Sequence, residues 1–148
     1  MDANNLTVLI ESLEKKVVIL NDIKKENAKQ AEILNAPSFS FEEFDKTVEN
    51  KGYLIYKLNK LDDGFETVFG KVKEELNEDK AKYAKEIKKM QDLIRQITDL
   101  STEISAEEKR NKAKVESTLK GEKAKIKKSR SSAKAINSYS QSMAFKNN

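Results

Sequence analysis

The sequence predicts an all-α fold: an elongated antiparallel three-helix bundle with helices at about 3–34, 41–76 and 79–128, continued by a C-terminal arm that is either helical or mobile. Three observations predict it. Apolar residues recur at helical spacing over almost the whole chain. The composition is rich in Glu, Lys, Leu and Ala, with one proline and four glycines, which suits long amphipathic helices rather than sheets. The stretch from Ser40 to Leu76 carries an apolar face too wide to be buried by one partner helix.

The first helix repeats Leu6, Leu13, Leu20, Asn27 and Leu34 every seventh position, with Leu9 and Ile23 on a companion line. Ile10, Val17 and Ala31 widen that stripe. Asn27 is the polar member, and two readings stay open. It sets register as a lone core Asn can, or, the reading preferred from sequence, it sits where the helix loosens and still meets water. The connection Asn35-Ala36-Pro37-Ser38 holds the only proline, which disfavours helix in the residue before it.

The second helix opens on a capping box. Ser40 is the N-cap, Glu43 stands three residues on, and Phe39 and Phe44 have the spacing of a hydrophobic staple. Phe41, Phe44, Val48, Ile55, Leu58, Phe65, Phe69, Val72 and Leu76 then form one line, and Leu54, Leu61 and Val68 a second. Lys51 and Asp62 interrupt it, and the lysine is expected to run its stem along the face with its ammonium in solvent. At roughly 1.5 Å per residue the first two helices come out near the same length, about 50 Å, as a helical hairpin needs.

Asn77-Glu78-Asp79-Lys80 is polar and is read as a turn, with Asn77 or Asp79 capping the third helix. The alternative is an unbroken helix through residues 41–104, since the apolar spacing stays in phase to Tyr83. A chain that turns back supplies the cover that the wide face needs, so the turn is favoured. The third helix runs through Tyr83, Ile87, Met90, Ile94, Ile97 and Ile104, broadened by Leu93 and Leu100. Past Ile104 the apolar residues thin to Glu108, Asn111, Val115, Leu119 and Ile126. An antiparallel third helix should run out of bundle near residue 115, so residues 1–115 are read as the bundle and 116–148 as a basic, partly amphipathic arm.

Charge is divided unevenly. Between Lys109 and Lys134 stand 11 Lys/Arg against Glu116 and Glu122, a net of +9, whereas residues 1–108 carry a net of −6. Ile136, Tyr139 and Met143 return to helical spacing in the tail, with Phe145 after them. Two readings stand: a frayed terminus, or a strip for helix-in-groove binding. Leu119, Ile126, Ile136, Tyr139, Met143 and Phe145 are the candidate partner-binding residues.

Catalysis is not expected. The chain has no histidine and no cysteine, so the commonest general base and the usual soft metal ligands are missing, and no metal or cofactor is expected. No signal-peptide pattern and no run of roughly 20 apolar residues is present, so a cytoplasmic protein without membrane insertion is expected.

The order of these elements resembles the FlgN-type flagellar export chaperone family. The likeness is carried by Leu6-x6-Leu13-x6-Leu20, by the stretch from Glu49 through Tyr53-Leu54-Ile55-Tyr56 to Asp62, by Arg110-Asn111, and by Lys134-Ala135-Ile136-x2-Tyr139-x3-Met143. It covers nearly the whole chain, mostly as leucine heptads. What the resemblance implies is a cytoplasmic type III export chaperone that binds hook–filament junction subunits and holds them unassembled before export, with much of the client contact in the C-terminal region. The strongly basic stretch departs from the family pattern and leaves open an acidic client, the export ATPase or the gate as its partner. Alternatives are a dimeric coiled-coil adaptor, the sister chaperone class that serves the filament cap, and a basic-arm nucleic-acid binder. Against nucleic acid, residues 109–134 hold no aromatic residue for base stacking.

Overall fold

The computed structural model describes the backbone of residues 3–126 and the side chains of residues 4–122. Three helices form an all-α bundle: α1 over Ala3–Asn35, α2 over Phe41–Glu78 and α3 over Ala84–Ile126. No strand occurs among the described residues.

The break after α1 falls where Pro37 demands it, with bends at residues 36–38. The Ser40 cap is formed: the Glu43 amide donates to Ser40 Oγ at 3.2 Å, and the Phe44 amide donates to the Ser40 carbonyl at 3.1 Å. The staple is closed as well, with the rings of Phe39 and Phe44 5.8 Å apart and Phe41 edge-on to Phe39 at 4.6 Å. Phe44 is fully buried. The entry into α2 is therefore held by backbone and by aromatic packing together.

The second reversal is a turn over residues 79–83, so the single uninterrupted helix across residues 41–104 does not occur. It lies later than expected. Neither Asn77 nor Asp79 caps α3: Asn77 is still within α2, and the Asp79 amide donates to the Glu75 carbonyl as a last helical bond. The Tyr83 carbonyl instead accepts from the Ile87 amide at 2.9 Å and starts α3. The Tyr83 ring is buried, so apolar packing rather than a polar cap decides where α3 begins.

By its contacts the chain divides into two units, each with one segment from every helix. One joins α1 up to Asn21 with Tyr56–Thr102; the other joins Asp22–Ile55 with α3 from Glu103. In the first unit Leu6, Leu9, Leu13, Ile19, Leu20, Val72, Leu76, Met90 and Ile97 are buried. In the second, Leu34, Phe44, Val48, Val115 and Leu119 make one cluster, with Ile33, Phe39 and Phe41 packed against it. Within this unit Leu34 meets the start of α2, and α3 brings Val115 and Leu119 to the same level. Hence α1 and α3 run parallel to each other and antiparallel to α2.

Two corrections concern the apolar lines. Phe69 and Ile94, which periodicity places in the core, are exposed, at 37% and 48%. Asn27, expected to meet water, is buried at 2%. In the middle of α2, Gly64 is exposed, and a methyl group there would meet nothing within 4 Å. Gly64→Ala should therefore stabilise the fold by about 0.5–1 kcal/mol through helix propensity alone. A urea melt checks this, and an unchanged or lowered midpoint would show that the site is not an ordinary helix interior.

Candidate functional site

The expected partner-binding residues divide at the end of the described chain. Leu119 is a correction: it is 3% exposed and belongs to the core cluster of the second unit. The reason is geometric, since α3 passes unbroken through residue 115 and keeps one more turn of packing than an arm starting at 116 would allow. Ile126 ends the described helix, with its side chain outside the described region. Ile136, Tyr139, Met143 and Phe145 lie outside the described residues, as does the far end of the expected third helix at 128.

The least expected feature is a polar layer inside the second unit. Lys51 and Glu108 are 1% and 2% exposed, and the Lys51 ammonium lies 2.6 Å from Glu108 Oε1. Lys51 also donates to Gln30 Oε1 at 3.2 Å. Asn111 donates from Nδ2 to the Asn27 carbonyl at 3.0 Å, and Asn27 donates from its own Nδ2 to Glu107 at 3.0 Å. Asn50 reaches Glu26 at 3.0 Å. Every helix thus contributes to one cross-linked layer. The expectation that Lys51 lifts its ammonium into solvent is overturned, because a carboxylate waits for it on α3. The thinning of apolar residues at Glu108 and Asn111 is likewise not the end of the core but its polar continuation.

At the rim of the layer, Lys24 lies 2.6 Å from Glu103 and 3.0 Å from Glu107. These hydrogen bonds, Glu103 first, hold its ammonium above the ordinary lysine value of 10.5. Inside, the layer is not fully satisfied. Asn27 Oδ1 and Gln30 Nε2 are buried and have no hydrogen-bond partner among the described residues. Each such atom costs about 1–3 kcal/mol. A layer this expensive defines alignment more than it adds stability.

The Lys51–Glu108 pair at the centre of the layer is closed to solvent. Among the described residues no three acidic side chains gather as a metal site, and no helix is long and apolar enough to cross a membrane.

Two open apolar troughs lie among the described residues of the first unit. Between α2 and α3, Phe65, Phe69, Leu76, Ile87, Met90 and Ile94 line a trough of about 440 Å³ rimmed by Lys73 and Lys80. Phe65 and Phe69 stack there with ring centres 5.8 Å apart. Sequence periodicity places these side chains on the correct helix faces but not at a surface. The apolar width of α2 is greater here than α3 can cover, which leaves Phe69 and Ile94 in the open. A second trough of about 490 Å³ runs between α1 and α2, lined by Lys15, Val18, Ile19, Lys57, Lys60 and Leu61. The sequence reading misses it altogether; the signal is Val18, an apolar residue one step off the α1 stripe. Exposed apolar patches of this kind are the ones that mark interaction surfaces on proteins in general.

Comparison with protein-family models, with curated proteins and with solved structures finds no match to this chain.

Removing one member of the buried ion pair strands the other. Lys51→Met or Glu108→Leu alone should cost about 3–5 kcal/mol, while the double variant should come close to the native stability or exceed it. Denaturant unfolding of all four proteins checks this. Additive losses in the double variant would show that the two side chains do not act as a buried pair.

Proposed function

We propose that this chain is a non-catalytic helical binding protein of the flagellar export-chaperone class, which works in the cytoplasm and holds hook–filament junction subunits unassembled before export. The observation that carries the reading is the open α2–α3 trough, with its stacked phenylalanines, its methionine and its exposed Ile94. A surface of this kind suits an amphipathic segment of a partner, docked as a helix in a groove. Methionine adapts to differing side chains, which serves a protein that must hold a client and then release it.

The order of the three helices and the heptads of α1, all of whose Leu6, Leu13, Leu20 and Leu34 side chains are buried, accord with the family resemblance. The resemblance also directs attention to the C-terminal strip. Ile136, Tyr139 and Met143 share one helical face in the sequence, beyond Leu119, which is the last core residue described. Burial of three such side chains is worth roughly 1.5–3 kcal/mol each. Ordering of both segments takes back part of this gain. The balance is a moderate affinity, as hand-over requires.

Truncation after Arg130 should abolish capture of a purified junction subunit while leaving the circular dichroism of the bundle nearly unchanged. Phe69→Asp should weaken the same interaction about tenfold or more. Titration calorimetry measures both. A truncated protein that binds with native affinity would reject the strip as a contact, and native affinity in both variants would reject the chaperone reading.

A further inference from the structure

The α1–α2 trough differs in character from the α2–α3 surface. Its floor is apolar: Ile19 is buried, Leu61 is half-buried, and Val18 stands 58% exposed. All three polar residues that line it are lysines, Lys15, Lys57 and Lys60. Lys15 and Lys60 have no carboxylate within ion-pair distance among the described residues, and the Lys60 ammonium sits 5.6 Å from the centre of the exposed Tyr56 ring. The nearby Lys16–Asp62 pair, 2.7 Å apart, engages a different lysine of α1 and leaves the lining without a negative charge. The trough is thus a short apolar strip bordered on both helices by cations.

We propose that this trough is a separate docking site for an acidic amphipathic helix of a partner protein. Charge complementarity selects the occupant. Two apolar side chains at i and i+3 or i+4 would seat on Val18, Ile19 and Leu61, since the lining runs about one turn on each helix, from residue 15 to 19 and from 57 to 61. Flanking Asp or Glu would meet Lys15 on α1 and Lys60 on α2. A basic helix is disfavoured by sign, and the chain's own residues 109–134, with a net of +9, are such a segment. A fatty-acyl anion fits poorly, since such ligands need a pocket that encloses most of their surface and Val18 lies open. The site uses none of the residues that line the α2–α3 trough, so it stands or falls independently of the chaperone reading.

The test uses the full chain and two labelled helical peptides of about 20 residues, identical in leucine spacing but flanked by Glu in one and by Lys in the other. In fluorescence anisotropy at low salt, the Glu-flanked peptide should bind and its Lys-flanked twin should bind at least tenfold more weakly. Rising salt should weaken the Glu-flanked complex. Lys15→Glu combined with Lys60→Glu should reduce affinity at least tenfold, and Val18→Asp should do the same without any change of charge on the lysines. These three side chains are exposed or at the rim, so the variants keep the fold, which circular dichroism verifies. Three results would overturn the site: equal binding of both peptides, native affinity in the Val18→Asp protein, or displacement of the Glu-flanked peptide by sodium laurate at stoichiometric amounts. A dimer in sedimentation that Val18→Asp dissolves would also overturn it, since the occupant would then be a second copy of this chain.

Discussion

A lysine ammonium and a glutamate carboxylate, placed 2.6 Å apart and closed off from water, set the terms for the second unit. Each charge costs several kcal/mol to bury, and the cost is offset only if the other is opposite. Sliding α3 by a single turn, about 5.4 Å, would part them. The leucine lines alone tolerate such a slip, because one apolar turn looks much like the next. The polar layer does not. Gln30 and Asn27 on α1 and Asn111 on α3 tie the first helix into the same alignment. The aromatic staple at Phe39 and Phe44 then closes the adjoining end, next to Leu34, Val115 and Leu119.

The first unit is built on the opposite principle. Its described interior is apolar, and the ion pair Lys16–Asp62, which joins α1 to α2 there, is partly exposed. Here α2 presents more apolar surface than its neighbours cover. Phe69 is left open as a result, Ile94 on α3 and Val18 on α1 are exposed beside it and across α2, and lysines border both troughs. Alignment is specified where the chain is polar inside, and apolar surface stays open where the interior is apolar throughout. In this chain the division follows the contact units: the open troughs lie among residues of one, the buried polar layer among residues of the other.

Much of the fold is legible in the sequence because its signals are local. Pro37 ends α1, Ser40 begins α2, and the Leu6 heptads point inward, each through residues within a few positions of one another. The misjudged features are those that need two helices at once. Lys51 looks like a stem on the helix surface until Glu108 is known to lie across from it, and Glu108 looks like fading core until Lys51 is. Their spacing from Ile55 and Ile104 pairs them only when the antiparallel register is tested for matching charge. Leu119 falls to an arm when the end of packing is reckoned from helix lengths, a measure good to about a turn. Phe69 and Ile94 fall to the core because periodicity reports which face a residue occupies, not whether the neighbour is wide enough to cover it.

The central claim is that one chain doubles back twice and locks itself through the polar layer. Isotope-filtered nuclear Overhauser spectroscopy on a sample mixed from labelled and unlabelled chains addresses this most directly. The account predicts cross-peaks from the Lys51 side chain to Gln30 and Glu108 within single chains, together with a slowly exchanging Lys51 ammonium. Cross-peaks that arise only between labelled and unlabelled chains, or a Lys51 ammonium that exchanges as fast as a surface lysine, would contradict it.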